Sequence, residues 1–350
     1  MTKFKIGNVE VGGDNPIAVI AEISCSHNQN IDNAKKLIEK AKWAGANIIK
    51  TQIYEPRDMT IDCFKSYFRI DNNTPWDGKY LFDLYLDSYT PYKWFPELKK
   101  FADYIEIPIF SSAFSEEGFD YLVEHGAPCL KLASFEIAHL PLIRHIAKKQ
   151  LPIIFSTGIA EPSDITNAMN VCISERNYNL AFLKCSSTYP SPPEETNLNA
   201  IKELQRWVGR FMVGLSDHTR DIFTAVAAAT MNEVKIIEKH IKLDDDSLDA
   251  AFSLTPKEFK RMVEGIREVE AAMGSYDLEL TEKQKKARKL GRSIFVVEDI
   301  KKGEKFTEKN IGVIRPGMGL HPKYYEKILG RIASEDLERG EPLKKENVVR

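Results

Sequence analysis

The chain has 350 residues, 43% of them hydrophobic, enough for one large domain and a small one. Its 49 basic and 51 acidic residues leave a net charge of −2 with no dense basic run, which argues against a nucleic-acid or anionic-membrane partner. No apolar run approaches the ~20 residues of a membrane span, the N-terminus lacks a signal peptide's apolar stretch, and five cysteines without zinc spacing fit no complete disulfide framework. The expected setting is therefore a reducing cytoplasm.

Along the chain a short β-branched run is followed, time after time, by a longer amphipathic stretch. The strand-like runs are Ile17–Ser24, Ile48–Tyr54, Pro108–Phe114, Cys129–Ser134, Pro152–Gly158, Ala181–Thr188, Phe211–His218 and Val234–Ile241. Helical stretches such as Ile31–Ala44, Ser115–His125 and Asp221–Met231 stand between them. Eight strands alternating with helices predict an α/β fold, a (β/α)8 TIM barrel of about 250 residues. No GxGxxG or Walker-type loop follows a strand, which counts against the rival, an open doubly wound sheet. One long irregular stretch, Glu55–Pro91, carries Asn72-Asn73-Thr74-Pro75-Trp76-Asp77-Gly78 and an aromatic segment, Tyr80–Tyr89. A connection of that length is a functional lid or a surface excursion. After a helical stretch, Phe259–Met273, and a charged run, Glu282–Lys289, the character changes. Short strand-like segments (Arg292–Val297, Ile311–Ile314) and the turn Arg315-Pro316-Gly317-Met318-Gly319 predict a small β-rich domain. The expected boundaries are a barrel over residues 1–275, a linker over 276–290 and the small domain over 291–350.

In such a barrel the C-terminal strand ends carry the active site. Those ends read, in order: Glu22, Ser24 and His27; Lys50 and Gln52; Ser111 and Ser112; Lys131, Ser134 and Glu136; Ser156 and Thr157; Ser186, Ser187 and Tyr189; Ser216, Asp217 and His218; Glu238, Lys239 and His240. His218 and His240 close the two strands of one β-α-β unit, so they are expected side by side, able to share a divalent metal and leave its other positions open. Lys131, Ser134 and Ser156 suit a phosphate, and Lys50 suits a carboxylate. Glu136 and Glu22 are candidate acid/base or water-orienting groups. A phosphate site, a carboxylate site and a carbonyl-polarising metal together point to phosphoenolpyruvate adding to an aldehyde. Plainer readings stand beside these. Lys50 and Lys131 can be ion pairs with Glu22 and Glu136, the serines can be helix caps, strand-end histidines are often structural, and Tyr189 and Arg315, each before a proline, can be turn residues.

The ordered string of strand ends resembles the sialic acid synthases. The similarity lies in Ile20-Ala21-Glu22-Ile23-Ser24, Ile49-Lys50-Thr51-Gln52, Phe110-Ser111-Ser112, Lys131-Leu132-Ala133-Ser134-Phe135-Glu136, Ser156-Thr157-Gly158, Cys185–Pro190, Gly214–His218 and Glu238-Lys239-His240, and the tail Arg292–Gly319 resembles that family's antifreeze-like (SAF) domain. The resemblance implies condensation of phosphoenolpyruvate with an N-acetylated amino sugar, loss of phosphate, a divalent metal (manganese first, magnesium or cobalt in its place) and a domain-swapped homodimer. Carried over residue by residue, it implies His218 and His240 as metal ligands. Lys50, Ser112, Lys131, Ser134, Ser156, Ser187 and Ser216 would meet phosphoenolpyruvate; Gln52, Glu136, Tyr189, Asp249 and Arg315 would meet the sugar. Glu136 would deprotonate the water or a sugar hydroxyl, and Glu22 would orient water at the metal. Within the family, Thr90-Pro91-Tyr92-Lys93-Trp94, Pro75-Trp76-Asp77 with Leu81–Tyr85, and Gly319-Leu320-His321-Pro322 are most similar to pseudaminic acid synthases, whose acceptor is 2,4-diacetamido-2,4,6-trideoxy-L-altrose. Synthases of N-acetylneuraminate or legionaminate, using N-acetylmannosamine or a diacetamido-trideoxymannose, are the alternatives. More distant are a Schiff-base barrel aldolase using Lys131 or Lys239 and a non-catalytic sugar-binding protein. Two departures stand out: Cys25-Ser26-His27-Asn28-Gln29-Asn30 where the family has Asn-His followed soon by Gly, and Ala113 where it has Pro.

Overall fold

Alternation of side chains along eight parallel strands decides what this chain buries and what it offers. The computed structural model describes residues 2–71, 76–275 and 277–349. A short antiparallel hairpin comes first, β1 (Lys3–Ile6) and β2 (Val9–Gly12). The barrel strands follow: β3 (Ala18–Glu22), β4 (Ile48–Gln52), β5 (Ile109–Ser112), β6 (Leu130–Leu132), β7 (Ile153–Ser156), β8 (Leu180–Lys184), β9 (Met212–Asp217) and β10 (Val234–His240). Each pairs in parallel with the next, and β10 returns to β3, setting His240 opposite Glu22 and closing the ring. The eight expected strands all form, each ending one to four residues short of its apolar run, as helix-capping geometry takes over.

Period-two alternation sorts the residues into two cores. Ala18, Ile20, Ile48, Phe110, Ile154, Leu183, Met212 and Ile236 point inward and fill the N-terminal part of the barrel. Val19, Ile49, Ile109, Phe155, Phe182, Val213 and Ile237 point outward under the helices. The hairpin adds Phe4, Ile6 and Val11 to the inner core. Its turn uses Gly7 at φ +59, where a Cβ would also come within 2.9 Å of Pro108 Cβ. Sequence pattern alone predicts no strand there, because runs of four residues interrupted by Lys5 and Glu10 carry little periodic signal.

The expected helices form with recognisable caps. Asn30 accepts from the Asp32 amide at 2.8 Å to start Ile31–Trp43, and Ser115 accepts from Gly118 at 3.1 Å to start Glu116–Glu124. Thr255 and Glu258 form a capping box on Pro256–Met273. The Glu55–Pro91 stretch is an insertion with its own helix, Leu81–Ser88, tied to the barrel by a parallel bridge between Ile53 and Thr90. Asn72 to Pro75 of that stretch, and Tyr276 of the expected linker, lie outside the described residues.

The chain divides into two compact units, Met1–Gly274 and Ser275–Arg350. The second opens with an exposed helix, Glu282–Ala287, and then forms β11 (Ser293–Val296) and β12 (Ile311–Ile314), paired antiparallel around Ile294, Val296, Phe306, Ile311 and Leu343. Among the described residues no helix is long and apolar enough to cross a membrane.

Candidate active site

The inward parity that fills the lower barrel with apolar groups continues upward as Lys50, Gln52, Ser112, Lys131, Ser156, Ser216, Glu238 and His240. These, with His218, line one cavity of about 650 Å³ above the inner core. The opposite parity sends Ser111, Asp217 and Lys239 out of the barrel. There Ser111 accepts from Thr51 at 2.8 Å, and Lys239 pairs with Asp217 at 2.9 Å while donating to the Thr219 carbonyl. Lys239 is thus removed from the cavity, and with it one of the two Schiff-base candidates.

The charges of the floor are internally balanced. Lys50 pairs with Glu22 and, at 3.1 Å, with Glu238. Lys131 donates to Ser156 Oγ at 2.6 Å and lies 3.9 Å from the other Glu238 oxygen. The expected Lys50–Glu22 pair is present. The partner of Lys131, however, is Glu238 from the opposite side of the ring rather than Glu136 on the next turn, because inward side chains of facing strands meet at the axis. Burial alone would favour the neutral form of Glu238, but Lys131 and Lys50 outweigh it and hold the carboxyl below its usual range. Burial and the nearby Lys50 charge leave Lys131 easier to deprotonate than a solvated lysine, despite Glu238. Glu22 is fully buried, takes the Ser24 amide at 2.7 Å and is not among the cavity-lining residues. Its place is behind Lys50.

The two imidazoles stand together, ring centroids 5.4 Å apart. His240 Nδ1 meets Asp249 Oδ2 at 3.0 Å, and Ser26 donates to Asp249 Oδ1 at 2.7 Å. Asp249, which also lines the cavity, thus braces His240. A carboxylate at Nδ1 is the arrangement that commonly orients a metal-binding imidazole, whose other nitrogen, Nε2, faces the ion. Burial, and then the charges of His240, Lys239, Lys50 and Lys131, keep His218 neutral, and its Nδ1 is buried without a hydrogen-bond partner. Among the described residues no three His, Cys, Asp or Glu side chains cluster as a closed metal cage. Two imidazoles, one braced by a carboxylate, fit a divalent cation that keeps most of its positions for other ligands.

Ser134 Oγ lies 3.0 Å from Cys185 Sγ and accepts from the Gly158 amide at 3.2 Å. Gly158 is required there, since a Cβ would fall 1.9 Å from Ser187 Oγ. Ser187 sits at φ +51, and the ring of Tyr189 lies against His218 at 4.5 Å and Phe252 at 5.2 Å. Glu136, on the 3₁₀ turn Ser134–Glu136, is pushed up to about 7 by burial. Four buried side-chain atoms without a hydrogen-bond partner gather on this one cavity: Ser112 Oγ, Glu136 Oε2, Glu238 Oε2 and His218 Nδ1. Buried polar atoms are ordinarily satisfied, so such a concentration marks a place built for a polar ligand. Arg315 lies in the second unit, exposed at the end of β12, on a turn pinned where Ser293 donates to the Pro316 carbonyl at 2.7 Å.

Sequence reasoning passes over Glu238 as a site residue, although its parity with His240 is a sufficient signal. It also misses Tyr54, Met59, Ile70 and Phe114 on the wall of the cavity, whereas Leu81 and Leu84 there fall in the Leu81–Tyr85 segment that the resemblance singles out.

The comparisons with known proteins agree with this geometry. A sequence model of the NeuB family matches residues 37–277, and one of the SAF domain matches residues 291–349. The chain is 40% identical over 343 residues to a pseudaminic acid synthase of Campylobacter jejuni, covering 97% of this chain and 98% of that protein. A pseudaminic acid synthase of Helicobacter pylori is 39% identical over 338 residues, covering 96% and 98%. Among solved structures, the spore coat polysaccharide biosynthesis protein SpsE of Bacillus subtilis superposes with a TM-score of 0.67 at 32% identity, covering 100% of this chain and 99% of that one.

Proposed function

The chain belongs to the NeuB family, and from that premise we propose that it makes pseudaminic acid by condensing phosphoenolpyruvate with 2,4-diacetamido-2,4,6-trideoxy-L-altrose and water, releasing phosphate. The single observation that carries the reaction is the gathering of Ser112 Oγ, Glu136 Oε2, Glu238 Oε2 and His218 Nδ1, unpartnered, over a floor holding two lysines. The choice of acceptor rests on the full-length similarity to pseudaminic acid synthases.

On this reading Lys131, Ser134 and Ser156 take the phosphate of phosphoenolpyruvate, Lys50 and Ser112 its carboxylate, and Ser187 and Ser216 close around it. Gln52, Glu136 and Tyr189 face the sugar. Lys50 and Lys131 are already matched by Glu22 and Glu238, so the bound trianion needs a further positive charge. His218 and His240 would hold a divalent cation, manganese first and magnesium or cobalt in its place, which supplies that charge and polarises the aldehyde as a Lewis acid. Carbon 3 of phosphoenolpyruvate attacks the aldehyde carbon, leaving a cation at carbon 2. Glu136, poised near 7, takes a proton from water as its oxygen bonds to carbon 2. The tetrahedral adduct then expels phosphate by breaking the carbon–oxygen bond, its carbon 2 hydroxyl losing its proton to the departing phosphate as the carbonyl forms, while the proton on Glu136 passes to the alkoxide left from the aldehyde. Tyr189, packed on His218, and Phe252 keep bulk water from that end.

Phosphate release with a panel of acceptors tests the reading. The trideoxy-L-altrose should exceed N-acetylmannosamine and the diacetamido-trideoxymannose by on the order of 10²-fold or more in kcat/KM, since a site built for a second acetamido group is left unsatisfied by sugars lacking it or presenting it wrongly. Arg315 reaches a sugar on this reading from a partner's small domain, in a swapped homodimer. Mixing Arg315→Ala with His240→Ala and reassembling them should restore up to about a quarter of the activity, because half of the random dimers hold one intact site. No recovery from verified mixed dimers refutes the swap.

A further inference from the structure

We propose that the inward face of helix Leu81–Ser88, with Met59 and Ile70, is the acceptor-selecting wall of the cavity, an apolar subsite that receives the methyl group at carbon 6 of the sugar. The inference deepens the function proposed above and rests on it. The helix is short, eight residues, and Leu81, Leu84, Tyr85 and Ser88 all line the cavity. Their i, i+3, i+4, i+7 spacing is one helical face, so the whole face is committed to this space and not to the barrel's packing.

The Ser88 hydroxyl on that face is not offered to a ligand. Ser88 Oγ donates to the Leu84 carbonyl at 2.8 Å and meets Tyr54 Oη at 2.7 Å. The ring of Tyr54 is in turn set edge-on against Tyr85 at 6.2 Å and Phe114 at 5.4 Å. The Ser88 and Tyr54 hydroxyls are used on one another, and Leu81, Leu84, Met59 and Ile70 present carbon to a ligand. The contrast is with the floor, where Ser112 Oγ, Glu238 Oε2 and His218 Nδ1 lack hydrogen-bond partners.

Topology says which end of a substrate reaches the wall. The insertion leaves the ring between β4 and β5, and β5 stands directly across from β9, which ends at the residue before His218. A sugar with its aldehyde at the imidazoles therefore extends its far end, carbon 6, toward the insertion. A methyl group there gains from burial against Leu81 and Met59; a hydroxyl set against those carbons loses its water.

The test compares the trideoxy-L-altrose acceptor with its 6-hydroxy counterpart, identical elsewhere, in the manganese-loaded full chain. The unaltered enzyme should favour the deoxy sugar by on the order of 10- to 100-fold in kcat/KM. Leu81→Asn, at a half-buried position, should bring the ratio close to one by raising KM for the deoxy sugar, and Leu81→Met should restore it. Met59→Gln gives a second, near-isosteric reading from the other side of the wall, should Leu81→Asn not fold. An unchanged ratio in a folded Leu81→Asn or Met59→Gln, or an unaltered enzyme that prefers the 6-hydroxy sugar, overturns the wall. The absence of any acceptor-dependent turnover by the unaltered chain overturns the function reading itself, a separate outcome.

Discussion

The floor and the wall of the cavity are built by opposite rules. The floor comes from strands, its side chains aimed by the pleat of a closed barrel, and it is dense in charge: Lys50, Lys131, Glu22 and Glu238 form one buried, balanced network. The wall comes from an insertion, its side chains aimed by about two turns of helix, and its Ser88 hydroxyl is taken up by Tyr54 and the Leu84 carbonyl. Strand geometry is the more rigid of the two, and it holds the groups that must act on the reacting atoms whatever the sugar is. The insertion can change without disturbing the barrel. On the proposed reading, reaction and selectivity would be carried by separable parts of one site, which makes the comparison breakable by mutation.

Changes in the floor should lower turnover with every acceptor alike. The largest effect is expected from His218→Ala and His240→Ala. Each should abolish metal binding and turnover while leaving the thermal melting transition in place, and chelation of the unaltered enzyme should do the same until manganese, cobalt or magnesium is returned. Full activity of stripped enzyme in excess chelator would break the floor's assignment. Next comes Glu136→Gln, which should cost about 10²- to 10⁴-fold in kcat. The Glu136 carboxyl is raised to about 7, and as a base it must be ionised. The unaltered enzyme should therefore lose kcat as pH falls through about 7, and the variant's residual activity should lack that acidic limb. A variant that keeps the limb would move the base elsewhere. Asp249→Asn should weaken metal binding by roughly 10- to 100-fold, read by direct manganese titration, because it removes the carboxylate that braces His240. If instead metal affinity is kept and only acceptor KM rises, Asp249 belongs with the sugar, as the family resemblance implied.

The barrel was legible from sequence because a buried parallel strand is an unbroken apolar run, and eight of them ended in polar residues. The cavity was half legible. His218, His240, Lys50, Lys131 and the serines arrive where the strand ends put them. Parity along β9 and β10 would also have told Asp217 and Lys239, which leave the barrel, from Glu238, which enters it. Three things lay beyond any local pattern. Asp249 reaches His240 only because the chain after β10 folds back. Lys131 and Glu238 meet across the barrel, more than a hundred residues apart in the chain. The wall depends on an eight-residue helix whose role appears only when Tyr54 and Ser88 are seen to satisfy each other.

The most direct test of the account follows the bridging oxygen of phosphoenolpyruvate. With ¹⁸O placed between carbon 2 and phosphorus, and the trideoxy-L-altrose acceptor present, the label should leave entirely in inorganic phosphate. The floor delivers water to carbon 2 and breaks the carbon–oxygen bond, so the nonulosonic acid product should carry solvent oxygen at that carbon. Label retained in the acid would mean cleavage at phosphorus, and would contradict the roles of Glu136 and the two lysines.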